Sequence, residues 1–112
     1  MATENSLRYC KFCRKEHMVT VPAINLNGTA PEDLFNQVMA ALEATRNAYR
    51  LMLEACPNGR DYQTAIPGTA SAALQQHSLR LERLQRIERE LKEIVEHVQA
   101  VIDYKAEIAS RG

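Results

Sequence analysis

The sequence has little of the material from which several classes of protein are built. Its 112 residues include no tryptophan, two phenylalanines, four tyrosines and four glycines. The 14 basic residues are balanced by 14 acidic ones, so the chain lacks the positive field on which sequence-independent nucleic-acid binding depends. No apolar run approaches the roughly 20 residues that a membrane-spanning helix needs. We therefore expect one small soluble domain without a membrane segment, for which nucleic acid is not the expected partner.

Cysteine is scarce, and its number is odd. Two of the three cysteines form a Cys-x-x-Cys motif, so the sequence does not predict the disulfide framework of a small secreted domain. The first residues, Met1 to Leu7, also lack the basic-then-apolar order of a secretory signal. We expect a cytoplasmic protein whose thiols are reduced or bound to metal.

Arrangements of catalytic side chains are missing as well. The sequence shows no Ser/His/Asp or Cys/His nucleophile arrangement, no paired carboxylates in a plausible cleft and no glycine-rich phosphate loop. We therefore expect a protein that is not an enzyme.

What the sequence does contain is helical periodicity in two long segments. Thr29-Ala30-Pro31-Glu32 has the pattern of a capping box with proline in the first turn, and it predicts the start of helix 1. Apolar residues then recur in steps of three and four until Pro57, so helix 1 covers about residues 30–56. After a loop at 57–69, helix 2 continues over about 70–110 without an internal glycine or proline.

The predicted fold class is mainly α, an antiparallel two-helix hairpin with a long second helix, preceded by a short β-hairpin or knuckle. The predicted domains are a Cys/His-containing segment at 1–28 and the helical hairpin at 29–112. Helix 1 repeats a mostly small residue every seven positions, which allows a neighbouring helix to approach closely. Helix 2 carries three adjacent apolar rows, a stripe wide enough for more than one neighbour.

The two helices are unequal in length. At about 1.5 Å per residue, helix 1 ends near the level of Val95 when it is folded back on helix 2. The apolar residues beyond that level must be covered by the N-terminal segment or by a second copy of the chain, and we expect both. The predicted product is an oligomeric helical bundle, whose interface consists of Val98, Val101, Ile102 and Ile108.

The first 28 residues contain a cysteine–histidine cluster. We predict a small β-hairpin from the runs Leu7–Tyr9 and Met18–Val21. Between these runs, Cys10, Cys13 and His17 place three metal ligands in eight residues, as in many zinc knuckles.

A closed zinc site needs a fourth ligand, and the candidates are His97, Glu16 or a residue of another subunit. The cofactor under this hypothesis is one structural zinc per chain. One isolated motif favours the simpler interpretation, in which Cys10 and Cys13 are small buried residues of the hairpin. A redox role has less support, because the motif does not begin a helix.

The connection at 57–69 is long for a link between helices, which usually takes two to eight residues. In a functional interpretation, Arg60 offers a planar fork for phosphate, Tyr62 a stacking face and Asn58 an amide, beside the first N–H groups of helix 2. In the structural interpretation, which we favour, turns form at Asn58-Gly59 and Pro67-Gly68, and Tyr62 and Ile66 cover the end of the core. The candidate ligand- or partner-binding residues are Asn58, Arg60, Asp61 and Tyr62; Asp61 can also pair with Arg60.

Two polar residues fall on apolar rows of helix 2. We expect His77 to hydrogen-bond Tyr49 or Thr45 rather than to bind a ligand. Glu88 is expected to pair with Arg46, an interaction that would fix the register of the helices.

A resemblance rests on three stretches: Leu26-Asn27-Gly28-Thr29, Pro57-Asn58-Gly59-Arg60-Asp61-Tyr62 and His77-x-x-Arg80-Leu81-Glu82-Arg83-Leu84. Together they resemble a group of small proteins encoded by tailed bacteriophages and prophages. The resemblance covers roughly residues 24–98 and leaves out the Cys/His cluster. It implies expression in the cytoplasm of an infected bacterium, and it implies no catalytic residue and no substrate.

Three functions follow as hypotheses. The first is a phage-encoded, non-enzymatic interaction protein that binds a host or phage protein through an oligomeric helical hairpin. The second is a counter-defence protein that sequesters a small nucleotide signal through residues 58–62. The third is a zinc-knuckle accessory protein that binds nucleic acid.

Overall fold

Two long helices, packed as a hairpin, make up most of the structure. The computed structural model describes residues 9–10, 15–16, 19–24, 28–63 and 66–111, with backbone alone at 9–10 and 15–16. Helix α1 spans Pro31–Glu54, a short 3-10 helix spans Gly59–Tyr62, and helix α2 spans Thr69–Arg111. The helices begin and end within about two residues of the predicted bounds, and the mainly helical hairpin is confirmed.

Proline defines both ends of α1. The carbonyl of Ala30 accepts the first helical hydrogen bond, from the N–H of Leu34 at 2.9 Å. Ala30 is therefore the N-cap residue, and Pro31 occupies the first helical position, where a missing N–H is harmless. The predicted cap, Thr29, is wrong by one residue. The helix ends at Glu54, because the proline at position 57 disfavours helical backbone just before it.

A glycine turn starts α2. The N–H of Thr69 donates to the carbonyl of Ile66 at 3.1 Å, and Gly68 between them has a φ of 89°. Proline followed by glycine at positive φ is the pattern of a type II turn. The carbonyl of Gly68 then accepts from the N–H of Ala72 at 3.0 Å, so Gly68 is the N-cap residue of α2.

The N-terminal segment contains one short antiparallel ladder. Strand β1, Tyr9–Cys10, pairs with strand β2, Lys15–Glu16, with Tyr9 opposite Glu16 and Cys10 opposite Lys15. The described part of the predicted second run, residues 19–21, is not a strand. The β-hairpin is therefore not supported with the strands that the sequence predicted.

The chain divides into two compact units, which we describe separately. The first unit comprises Met1–Leu42 and Arg89–Gly112, and the second comprises Glu43–Glu88. In the first unit the described apolar core consists of Leu42, Val98 and Val101. His97, a polar residue of the same unit, is also buried. In the described part of the second unit, His77 alone is buried, and no apolar side chain is. The predicted boundary after residue 28 stays a prediction.

Candidate functional site

The loop residues predicted to bind a ligand begin with an asparagine that has a structural role. The side-chain oxygen of Asn58 accepts a hydrogen bond from the N–H of Arg60 at 3.0 Å, and its carbonyl accepts from Asp61 at 3.0 Å. Asn58 thus caps the 3-10 helix. Of the two glycines in this connection, Gly68 has a positive φ and Gly59 does not.

The side chains of the 3-10 helix remain available to a ligand. Arg60 and Asp61 are exposed and are not paired with each other, and in the described part of the chain neither side chain has a hydrogen bond or ion pair. Tyr62, predicted to cover the end of the core, is half-buried. Ile66, predicted to share that role, is 82% exposed and covers nothing. The N–H of Thr69 is occupied by the Ile66 carbonyl, which removes one of the donors that the sequence offered to an anion.

Two side-chain contacts define the helix register in the second unit. Arg46 meets Glu88, and three residues further along α1 the hydroxyl of Tyr49 accepts from Gln85, three residues back on α2. The same spacing places Glu54, the last residue of α1, level with Arg80. His77 lies three residues beyond that level, outside the span of α1.

His77 is buried without a hydrogen-bond partner. Its side chain is on the apolar row of α2, the residue is 4% exposed, and its Nε2 atom has no partner. The predicted bond to Tyr49 is wrong, because His77 lies beyond the end of α1 and the Tyr49 hydroxyl accepts from Gln85 at 3.0 Å. An unpaired polar atom in a buried position costs about 1–3 kcal/mol. Among the described residues it is the one buried side-chain polar atom without a hydrogen-bond partner.

The predicted pair between Arg46 and Glu88 is confirmed. The Nε atom of Arg46 lies 3.1 Å from Oε1 of Glu88, and the side chains are 46% and 31% exposed. Because water screens a pair this exposed, it contributes about 0–1 kcal/mol. It marks the edge of the helix seam rather than the interior.

His97 joins the N-terminal segment to α2 in the first unit, as the hairpin geometry predicted. Its Nε2 atom lies 2.8 Å from the carbonyl oxygen of Pro22. A metal-binding histidine commonly donates one ring N–H to a carbonyl oxygen and binds the metal through its other ring nitrogen. With Nε2 beside the Pro22 carbonyl, His97 would have to bind zinc through Nδ1. Cys13 and His17 lie outside the described residues, and within those residues no group of three ligating side chains could hold a metal. The zinc site stays a prediction, and native mass spectrometry of the purified protein would report one zinc per chain.

Half of the predicted oligomer interface is covered within the single chain. Val98 is 0% and Val101 3% exposed, so neither is available to a second copy. The bond between His97 and Pro22 shows that the segment at 19–24 lies against this part of α2. Ile102 is half-buried and Ile108 half-exposed, and these two alone remain open to a partner.

A larger number of exposed apolar side chains, which the sequence did not predict, lies in the second unit. Six of its large apolar side chains are about half-exposed or more: Leu51, Leu53, Ile66, Leu74, Leu79 and Ile87. Leu74 and Ile87 belong to predicted apolar rows of the second helix. The available signal in the sequence was that these rows are wider than one neighbouring helix can cover. Leu51 and Leu79 fall outside the helix-facing rows, so periodicity gave no indication of them.

Comparison with known proteins gives no relative from which a function could be transferred. No protein-family model, no curated protein and no solved structure matches the chain. In the described residues, neither helix has a stretch apolar and long enough to cross a membrane.

Proposed function

We propose that the protein is a non-enzymatic interaction protein of phage origin, which acts in the infected bacterial cytoplasm by binding other protein chains through its second unit. One observation carries the proposal. The described part of Glu43–Glu88 has no buried apolar side chain, while six large apolar side chains are exposed there. Isolated exposed leucines are ordinary on a protein surface, but a unit that lacks a core of its own is not.

Covering the exposed apolar side chains would release free energy. Burying a leucine or isoleucine completely contributes about 1.5–3 kcal/mol, so covering the exposed half of each of these six side chains is worth about 1 kcal/mol apiece. The six side chains do not all lie on one side of the helices, so a partner gains this energy only for those that it covers. Association with another chain is a direct way to gain that part.

Site-specific photocrosslinking tests the proposal in the bacterial host. A photoreactive residue at Ile66 or Leu74 should give protein adducts, whereas the same residue at Glu107, an exposed polar position of the first unit, should not. The adduct mass distinguishes a second copy of the chain from a different protein. Absence of adducts from both positions of the second unit would contradict the proposal.

A second candidate function is the capture of a small nucleotide by the 3-10 helix. The observation that favours it is the exposed guanidinium of Arg60, which has no acidic partner in the described part of the chain, beside half-buried Tyr62. A guanidinium fork and an aromatic face suit a phosphate and a base.

The test is a thermal-shift screen against a nucleotide panel. Arg60→Ala should abolish any stabilisation by a nucleotide. Arg50→Ala is the matched control, since Arg50 belongs to the same unit but is paired with Glu54 at 3.3 Å. The nucleotide function is excluded if no nucleotide stabilises the wild-type protein, or if both variants lose the effect equally.

A further inference from the structure

We propose that Asn58 is a site of spontaneous covalent modification, which the folded connection between the helices holds in check. Asn58 is followed by Gly59, and both residues are exposed. Asparagine is one of the thermally labile residues of proteins. The chemistry lies within the chain and does not depend on a binding partner.

The reaction uses only atoms of the chain and water. The backbone nitrogen of Gly59 attacks the side-chain carbonyl carbon, Cγ, of Asn58, and the new N–Cγ bond closes a succinimide ring. The attacking nitrogen gives up its proton, and the side-chain amide takes up a proton and leaves as ammonia. Water then opens the ring at either of its two carbonyl carbons, and the ring nitrogen regains its proton. The product is aspartate or isoaspartate, each of which carries a carboxylate at neutral pH.

Gly59 is suited to this attack. Glycine has no Cβ to crowd its backbone nitrogen. Nothing lies within 4 Å of the position that a Cβ would occupy at Gly59. In the described part of the chain, the N–H of Gly59 donates no hydrogen bond. The attacking nitrogen is therefore uncrowded and is not held by an acceptor.

The conformation of Asn58 opposes ring closure. Its ψ of 129° turns the Gly59 nitrogen away from the Asn58 side chain, so the backbone must rotate before the ring can form. Two hydrogen bonds resist that rotation. The side-chain oxygen of Asn58 accepts from the N–H of Arg60 at 3.0 Å, and its carbonyl accepts from the N–H of Asp61 at 3.0 Å. The reactive species is therefore a minor, locally opened form of the connection.

Conversion of Asn58 would change the charge of the connection. At present the exposed side chains of Arg60 and Asp61 carry opposite charges that cancel. Aspartate at position 58 would retain the cap on the 3-10 helix, because aspartate caps as well as asparagine does. Isoaspartate adds a carbon to the backbone and would break the cap. Either product leaves a net negative charge beside Arg60.

Peptide mass mapping of the full-length protein measures the rate of conversion at each asparagine. In wild-type protein unfolded in guanidinium chloride, Asn58 should convert as fast as Asn27, which also precedes glycine, and much faster than Asn47, which precedes alanine. In the native protein at the same pH and temperature, Asn58 should convert about tenfold more slowly or less, because two hydrogen bonds must open first.

Two substitutions of Arg60 make a matched pair for the hydrogen bond that holds the Asn58 side chain. Arg60→Pro removes the N–H that donates to Asn58 and disfavours helical backbone at Gly59, whereas Arg60→Ala keeps the N–H. Both variants lose the guanidinium. In the native state, Arg60→Pro should convert at Asn58 about fivefold faster than Arg60→Ala. Circular dichroism checks that both variants retain their helices.

Three results would overturn the proposal. They are equal rates at Asn58 in native and unfolded wild type, equal rates in the two native Arg60 variants, and a rate at Asn58 in the unfolded chain no greater than that at Asn47. If Arg60→Pro does not fold, the comparison of native with unfolded wild type decides the question.

Discussion

Replacing His77 by leucine should stabilise the folded protein. The histidine is buried and its Nε2 atom has no partner, so folding removes that atom from water without compensation. Such a loss costs about 1–3 kcal/mol. Leucine has a similar volume and no polar atom, and imperfect repacking of a swap of this kind costs less than about 1.5 kcal/mol. We expect a net gain of about 1 kcal/mol, or roughly 4–8 °C in Tm for a domain of this size.

Urea unfolding followed by circular dichroism measures this gain, at one fixed protein concentration because association raises apparent stability. His77→Gln retains a polar group and should show no gain, and His77→Ala should destabilise the protein because it leaves a cavity. If His77→Leu is destabilised by about 1 kcal/mol or more at an unchanged m value, the reasoning is refuted. The Nε2 atom would then have a partner in solution.

Three further predictions concern the ends and edges of the hairpin. Gly68→Ala should cost about 1–2 kcal/mol in thermal unfolding because Gly68 has a φ of 89°. Gly59→Ala should be near neutral, because nothing lies within 4 Å of a Cβ added at that position. Equal effects of the two substitutions would contradict the turn geometry. A double-mutant cycle between Arg46 and Glu88 should give a coupling energy below about 1 kcal/mol, and about 2 kcal/mol or more would mean that the pair is buried in solution. His97→Leu should cost about 1 kcal/mol and speed amide exchange of residues 19–24, and unchanged exchange would show that the bond to the Pro22 carbonyl does not hold that segment.

The helices and their register were accessible from the sequence because local chemistry decides them. Pro31 and Pro57 permit or forbid helix at particular positions, and steps of three and four identify the seam. The pairing of Arg46 with Glu88 followed from two charges that the antiparallel model placed at the same level. Each of these inferences needs only the residue and its neighbours along the helix.

The exposed apolar surface of the second unit was not accessible in the same way. Periodicity shows that a row is apolar, but it does not show which side chains cover it. The sequence predicted that α1 ends near the level of Val95 and that the N-terminal segment and a second copy of the chain cover Val98 and Val101. Both valines are buried within the first unit, where the segment at 19–24 lies against α2. The large apolar side chains without cover lie mostly in the unit that contains the loop. The sequence assigned His77 a partner on α1, whereas His77 lies beyond the level at which α1 ends.

The separation of contacting residues along the chain has a consequence for the order of folding. The contacts of the second unit join residues 36 and 42 positions apart, and the contact of His97 with Pro22 joins residues 75 positions apart. Doubling the enclosed segment adds only about 0.6 kcal/mol of loop-closure entropy. That difference is smaller than the contribution of one buried valine, and the buried valines lie in the first unit. We therefore expect the folding nucleus to form far from the turn and the residues around the turn to acquire their protection from amide exchange last.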